Sequence, residues 1–289
     1  MSQDRFIHVA LAFDDNFWAP AYAVMRSVCL TTARRADLVF HLCHDGLSAE
    51  RRQQLEAITT EFGAQLRDYP LQAHETFNTV ARSLPVARRL HSVIYARMLL
   101  DLLLPPDVRR VIYLDCDTMV IAPIEALWDA DLGDKAIAAV PDGWALFQMG
   151  GRDMAEKRSI FDPAQPYFNS GVLLIDRARY ATADIPGRIA KMAADGILSQ
   201  LYYDQDMLNL IFAGNWQPLD WRFNVIDPRP PHQAMGVRIL HYTGTRRPWN
   251  LWSGTAFARL YRHVMTNAVY YAFMRQRWQR RLRRLVGRK

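Results

Sequence analysis

The segment Arg110-Val111-Ile112-Tyr113-Leu114-Asp115-Cys116-Asp117 constrains this chain more than any other. Its four apolar residues, three of them aromatic or β-branched, read as a strand buried on both faces. The strand then runs straight into two carboxylates. Alternate residues of a strand share a face, so Asp115 and Asp117 are expected to point one way and Cys116 the other. Two carboxylates that close repel each other unless a cation or protons lie between them. At the C-terminal edge of an α/β sheet, where such folds bind ligands, a divalent cation is the natural partner. The spacing alone is not specific, because Asp-x-Asp also occurs at Asp129/Asp131 and Asp204/Asp206. Only the first pair follows an apolar strand. Asp129 and Asp131 read as a solvated helix end, and a polar strand end is the plain alternative for Asp115 and Asp117.

The sequence before this segment predicts a doubly wound sheet. Phe6–Phe13 reads as a first strand and Asp14-Asp15-Asn16 as the turn after it. Helical spacing follows over Ala19–Leu30, a strand over Leu38–Cys43, a helix capped by Ser48 and running to Phe62, and a strand over Ala64–Tyr69. A β-α-β-α-β start of this kind builds a parallel sheet with flanking helices. Residues 72–90 read as a long loop, Ser92–Leu104 as a helix, and Gly143–Gln165 as a loop with one helical turn, a candidate lid. Strands are expected at Ala136–Val140, Val172–Ile175 and Val237–Tyr242, and Asp204 as the cap of a helix over Gln205–Ala213. From Thr255 the chain reads as helical almost to its end.

At 289 residues, one large α/β domain of about 250 residues is expected over 1–250, with a basic helical tail over 251–289. Half of the residues are hydrophobic, enough for a sizeable core. Cys29, Cys43 and Cys116 are scattered through apolar runs, which predicts buried free thiols rather than disulfides or a zinc site. The first apolar run is short and broken by His8, unlike a signal peptide. No window offers the ~18 uncharged apolar residues of a spanning helix, so a cytoplasmic or peripheral protein is expected.

The net charge of +7 hides an asymmetry. Asp227 is the last acidic residue and 14 of the 36 Lys+Arg follow it, so the first 227 residues carry 22 basic against 29 acidic residues. An acidic body thus carries a basic tail. In that tail Tyr271, Met274, Trp278, Leu282 and Leu285 form one helical stripe, with Arg275, Arg277, Arg280, Arg281, Arg283 and Arg284 around it. This is the pattern of an interfacial amphipathic helix attracted to anionic lipid, at about 1 kcal/mol per Arg near the surface. A tail docked on the acidic body is the plainer alternative, and a nucleic-acid arm is not expected.

Other constellations gather around the strand ends. Asp14, Asn16 and Phe17 follow the first strand, where polar groups can read a base edge and a ring can stack, although a simple Asx turn accounts for the first two. His241 closes a late strand and is followed by Gly244, Arg246 and Arg247. An imidazole, a glycine and paired arginines suit a metal-bound diphosphate, although a lone strand histidine is more often a satisfied core residue. Asn169, Asp204 and Gln205 taken singly read as a turn residue, a helix cap and a solvated first turn. No Gly-x-x-x-x-Gly-Lys-Ser/Thr or Gly-x-Gly-x-x-Gly is present, which argues against a P-loop and a nicotinamide site.

In combination these motifs resemble glycosyltransferase family 8, closest in kind to bacterial lipooligosaccharide and lipopolysaccharide galactosyl- and glucosyltransferases. The likeness runs from Ile7 to Trp249 through Ala-Phe-Asp-Asp-Asn, Tyr-Ala-Arg, Tyr-Leu-Asp-Cys-Asp, Leu-Trp-Asp-x-Asp-Leu-Gly, Tyr-Phe-Asn-Ser-Gly-Val-Leu-Leu-Ile, Asp-Gln-Asp-x-Leu-Asn and His-Tyr-x-Gly-x-x-x-Pro-Trp. The resemblance implies a GT-A fold with a mainly parallel sheet and a UDP-hexose donor, galactose or glucose, bound with Mn²⁺ or, as the alternative, Mg²⁺. It implies Asp115, Asp117 and His241 as metal ligands, a set that suits manganese better than magnesium because it includes an imidazole. Asp14, Asn16 and Phe17 match the uracil contacts. Arg97, Asp142, Asn169, Asp204 and Gln205 match positions around the donor sugar, and Gly244 and Arg247 match the diphosphate loop, where the family usually has Lys in place of Arg247.

The implied product is an α-glycoside formed with retention on a lipid-linked oligosaccharide at the inner membrane face. Gln205 matches the residue opposite the leaving group, yet an amide is a poor nucleophile, so front-face departure and attack is the expectation. A nucleotidyltransferase is the alternative enzyme, but it lacks its usual Gly-rich N-terminal loop here. A non-catalytic membrane or nucleic-acid binder would rest on the tail alone.

Overall fold

A computed structural model of the chain describes residues 5–85, 92–143, 160–161, 165–201, 203–250 and 253–286. The N-terminal half alternates as the hydrophobic pattern requires: β1 (Ile7–Asp14), α1 (Trp18–Thr31), β2 (Leu38–Asp45), α2 (Ala49–Phe62) and β3 (Gln65–Pro70). Then follow α3 (Glu75–Arg82), α4 (Leu100–Leu103), β4 (Arg110–Leu114), β5 (Thr118–Val120), α5 (Glu125–Trp128), β6 (Ile137–Pro141) and β7 (Phe168–Asp176). The remainder contains α6 (Arg177–Ala181), α7 (Ile185–Ala194), α8 (Tyr203–Ile211), β8 (Gln217–Pro218), β9 (Val225–Ile226), β10 (Ile239–His241), α9 (Ala258–Val264) and α10 (Asn267–Val286).

The main sheet has the order β3-β2-β1-β4-β7-β6-β8. β3, β2, β1 and β4 run parallel, β7 is antiparallel to both β4 and β6, and β8 is parallel to β6. Helices cover both faces, as a sheet with hydrophobic residues on both sides demands. Val9, Leu11, Ile112 and Leu114 pack on one core, and Ala10, Val111 and Tyr113 on the other. The apolar run of β4 is therefore buried on both faces. A small sheet, β5-β10-β9, is pinned beneath the end of β4 and carries His241 toward it. The first core also takes in Tyr261, Val264, Met265, Val269 and Phe273, so the front of the tail is packed on the body.

Several local expectations are corrected. The described part of the expected 72–90 loop is not open, because α3 forms within it with Phe77 and Ala81 buried, and residues 86–90 lie outside the described residues. Ser92–Leu99 is 3-10 rather than α-helical, and only α4 continues it as an α-turn. Ser48 stands at the N-cap of α2 but its side chain makes no capping bond. The tail is two helices broken at Met265-Thr266, where Met265 turns inward and is fully buried. The expected lid over Gly143–Gln165 lies almost entirely outside the described residues. Cys29, Cys43 and Cys116 are buried and free, as expected, and burial pushes the thiols of Cys29 and Cys43 up to about 12. No described helix is long and apolar enough to cross a membrane.

β1 and β2 are joined by side chains as well as by their ladder. His8 and His41 lie 2.9 Å apart ring nitrogen to ring nitrogen, and His41 reaches the Tyr69 hydroxyl at 3.0 Å. Burial first, then the His8 and Arg67 charges, pushes His41 from 6.5 down to about 3. Its folded-state pKa is depressed, so the unfolded chain binds more protons between those values. The contribution of His41 to stability is therefore fully present above pH 6.5 and is lost as the pH falls toward 3. The Tm of the wild type should drop across this window, and His41→Gln should flatten the slope; a wild-type Tm independent of pH there would contradict the assignment.

Candidate active site

The two carboxylates do not sit on a strand. β4 ends at Leu114, and Asp115-Cys116-Asp117 forms the tight turn into β5, closed by Thr118 N–H donating to the Asp115 carbonyl at 3.0 Å. The alternation argument thus gave a correct outcome for a wrong reason. The turn, rather than the pleat, brings both side chains to one centre while Cys116 turns inward, 3.6 Å from the Ala12 carbonyl oxygen.

His241 completes the centre from β10. Its Nε2 lies 3.1 Å from Asp117 Oδ1 and 3.6 Å from Asp115 Oδ2, and one ligand atom from each of the three residues falls within 4.8 Å of the others. Two hard oxygen donors with a borderline imidazole nitrogen suit a first-row divalent cation. Burial alone would raise the Asp117 carboxyl, but His241 and Arg247 outweigh it and hold it well below the usual carboxylate range.

The orientation of His241 is set by a relay of side chains. Gln205 Nε2 and Asn169 Nδ2 donate to Asp142 Oδ2 at 3.4 and 3.3 Å. Asn224 Nδ2 donates to Asn169 Oδ1 at 2.8 Å, which leaves Asn224 Oδ1 to accept from His241 Nδ1 at 2.9 Å. Because Asp142 can only accept when ionised, each amide is oriented in turn. The histidine therefore carries a proton on Nδ1 and turns Nε2 toward the carboxylates, the nitrogen left to ligate a cation.

Gly171 fits beneath this arrangement. Its carbonyl accepts from Asp115 N–H at 2.8 Å and its own N–H donates to Asn169 Oδ1 at 3.0 Å. A Cβ there would lie 2.2 Å from His241 Cε1 and 2.7 Å from Asp115 Oδ2. Only glycine allows the three groups to converge.

Arg97, buried at the end of the 3-10 segment, ties the centre to α8. It forks onto Asp115 at 2.8 and 3.2 Å and contacts Asp204 Oδ2 at 2.9 Å. Burial alone would lower the Arg97 guanidinium; the two carboxylates reverse this and raise it. Asp204 does not cap α8 as expected. It lies in the first turn as the partner of Arg97 and Ser170, and burial, aided by Asp115, pushes its carboxyl above the ordinary range despite Arg97. Gln205 Oε1 accepts from Asn169 Nδ2 at 3.0 Å and Ser170 N–H at 3.3 Å. Asn209 bridges the backbone of Phe168, and Asp206 accepts from the Tyr167 hydroxyl at 2.6 Å. The polar residues of the Asp-Gln-Asp-x-Leu-Asn motif thus dock α8 on β7 and on Tyr167 just before it.

The outer loops are connected to the centre. Asp14 accepts from the Asn16 backbone at 2.8 Å and from its amide at 2.6 Å, an Asx turn that aligns both groups. Phe17 is partly exposed and meets Trp249 edge-on at 6.1 Å. Arg247 lies over Trp249 at 5.6 Å and donates to Asp117 and to the Tyr242 carbonyl. The remaining loop residue, Gly244, has open space around it. Of the sequence-designated residues, Asp115, Asp117, His241, Arg97, Asp142, Asn169, Asp204 and Gln205 form one bonded cluster, Arg247 closes its rim, and Asp14, Asn16 and Phe17 form a second patch linked through Trp249. Sequence reasoning missed Asn224, Trp249 and Asp206, and gave Gly171 no role. Asn224, in Trp-Arg-Phe-Asn, carries no signal of its own.

The chain matches the family described as glycosyl transferase family 8 over residues 8–253. It is 24% identical over 286 residues to general stress protein A of Bacillus subtilis, covering 92% of this chain and 95% of that one. It is 25% identical over 284 residues to the lipopolysaccharide 1,3-galactosyltransferase of Salmonella typhimurium, covering 92% and 79%. The crystal structure of the galactosyltransferase LgtC with donor and acceptor sugar analogues shares the fold, with a TM-score of 0.72, 24% identity and coverage of 90% and 95%.

If the three residues hold a divalent cation, Gly171→Ala should leave a folded protein whose affinity for that cation, measured calorimetrically with Mn²⁺ as the probe, falls by about tenfold or more, and Asn224→Leu should weaken it by roughly 10- to 100-fold. Unchanged affinity in both variants would remove this centre as a metal site.

Proposed function

Because the chain belongs to glycosyl transferase family 8, and is therefore a glycosyltransferase, we propose that it moves a hexose, galactose or glucose, from a UDP-sugar to a lipid-linked oligosaccharide of the lipopolysaccharide-core kind, with retention to give an α-glycoside. The observation that carries this reading is the convergence of Asp115, Asp117 and His241 beside the Asp142–Asn169–Gln205 network. The relative named as a lipopolysaccharide 1,3-galactosyltransferase supports the donor and acceptor class.

In this reading Asp115, Asp117 and His241 hold Mn²⁺, with Mg²⁺ as the alternative. The cation supplies positive charge beside the departing diphosphate. Asp14 and Asn16 read the uracil edge and Phe17 packs on its ring. Arg247 swings from Asp117 to the diphosphate and, with the backbone near Gly244, stabilises the charge that builds on its oxygens. Arg97, Asp142, Asn169 and Asp204 orient the sugar hydroxyls. Gln205 stands with its Oε1 accepting from Asn169 and from the Ser170 backbone. Those bonds draw electron density from the Gln205 side-chain oxygen, already a poor nucleophile as an amide. Departure and attack on one face is accordingly the favoured route, with Gln205 as a positioning group.

Helix α10 gives the tail a second role. Tyr271, Trp278 and Leu282 are exposed on one side, with Arg275 among them, while Val269 and Phe273 are buried on the other. An exposed apolar stripe with arginines suits an anionic membrane surface and supports the reading that the enzyme works peripherally on the inner, cytoplasmic face, close to a lipid-linked acceptor.

Purified protein with Mn²⁺ should release UDP from UDP-galactose or UDP-glucose, and Asp117→Ala should lower the rate by about 10²-fold or more. No release from any UDP-hexose, with or without acceptor, would sink the reading. The triple variant Tyr271→Ser/Trp278→Ser/Leu282→Ser should lose co-sedimentation with phosphatidylglycerol vesicles while keeping UDP release; undiminished sedimentation would remove the stripe from the membrane account.

A further inference from the structure

The inner face of α10 does more than pack. Two loops flank the metal centre, the one after β1 that carries Asp14, Asn16 and Phe17, and the one after β10 that carries Gly244, Arg247 and Trp249. They come from opposite ends of the sequence, and the structure bonds each of them to the same turn of α10.

Gln276 holds the first loop. Its Nε2 donates to the Asp15 carbonyl at 3.3 Å, and its Oε1 accepts from the Trp18 indole N–H at 2.9 Å. The side chain thus spans the junction of the loop with α1. Arg280, one turn further on, lies 3.9 Å from Asp15 Oδ2, which also pairs with Arg51. Arg277 holds the second loop. Its Nη1 donates to the Trp249 carbonyl at 3.2 Å and its Nη2 to Asn250 Oδ1 at 2.9 Å. The Trp249 ring is enclosed by Phe17, Tyr261 and Phe273, with the Arg247 guanidinium over it. Residues 273, 276, 277 and 280 share one face of a helix with 3.6 residues per turn, away from the exposed stripe of Tyr271, Trp278 and Leu282.

We propose that Gln276 and Arg277 are positioning residues of the donor site, holding the base loop and the diphosphate loop at the separation that a nucleoside diphosphate spans. Neither residue reaches the metal centre. Gln276 acts through Asp15 and Trp18 on the loop that presents Asp14, Asn16 and Phe17, and Arg277 acts through Trp249 on Arg247. A fixed spacing means that the nucleotide meets both loops already ordered, so the entropy of ordering them is not subtracted from its binding. A purely structural helix would contribute to Tm alone. A positioning helix contributes to nucleotide affinity, because both loops must be engaged at once. The proposal rests on the donor-site reading above.

The test uses the full-length protein, with UDP affinity measured by calorimetry in the presence of Mn²⁺ and donor KM and kcat measured separately. Gln276→Ala and Arg277→Ala should each raise the UDP Kd and the donor KM by about tenfold, with kcat within about twofold. Arg277→Lys, which keeps a donor to the Trp249 carbonyl, should recover part of the loss. Gln279→Ala, exposed on the same helix, should behave as wild type. If Arg277→Ala does not fold, Gln276→Ala and Arg277→Lys decide the matter. UDP affinity and donor KM unchanged in those variants, or altered equally by Gln279→Ala, would overturn the proposal. A wild type that binds UDP but cleaves no UDP-hexose would refute the transferase reading and leave the affinity comparison decisive for positioning, whereas a wild type that does not bind UDP would refute both.

Discussion

The hydrogen bond from His241 Nδ1 to Asn224 is the interaction on which the rest of the site depends. It is the last link of a chain that begins at the Asp142 carboxylate and passes through Asn169 and Asn224, each amide turned by the one before it. The consequence is directional: a charge on one side of β7 decides which imidazole nitrogen faces the carboxylates on the other. A buried polar chain of this kind is worth more complete than in parts, because any broken link leaves an unsatisfied group in a poorly solvated interior. The same chain passes through Gln205, so the groups assigned to the sugar and those assigned to the metal are one hydrogen-bonded object.

Charge balance reinforces that object. Asp115, Asp117 and Asp204 lie close together, and three carboxylates in such a space would drive one another apart or take up protons. Arg97 answers two of them and Arg247 the third. Arg97 is buried, and removing one partner from a buried ion pair typically costs about 3–5 kcal/mol, so it is an architectural as well as an electrostatic element. Arg247 sits at the rim on a loop, and its contact with Asp117 leaves it close to where a diphosphate would approach. The Lys that the family usually has there would offer one point charge; Arg offers a planar fork that can lie on Trp249 and still donate.

The tail changes meaning once its two faces are seen. By sequence it is a basic amphipathic helix, and membrane surface and docking on the body were alternatives. The structure lets both stand, because they use different faces. Val269, Phe273, Gln276 and Arg277 turn to the body, while Tyr271, Trp278 and Leu282 remain exposed. Helical periodicity could show the stripe but not the inner face, because Gln276 and Arg277 look like any solvated positions until their partners near Asp15 and Trp249 are known.

Local chemistry and periodicity were enough for the alternating strands and helices, the doubly buried β4 and the free thiols, because the hydrophobic pattern sets burial; Arg97, Asp142, Asn169, Asp204 and Gln205 came together only through the resemblance to a known family, since each taken singly reads as an ordinary turn, cap or surface residue. The same information misjudged the turn at Asp115–Asp117, the 3-10 segment that aims Arg97, and the α3 helix, where short-range propensity gives way to packing against distant elements. It had no means of finding Asn224 or the need for glycine at 171. Those roles are defined by atoms brought together from β4, β7, β10 and the loop before β9, and only the closed tertiary structure decides which lone pair faces a cation and where a single methyl group would have no room.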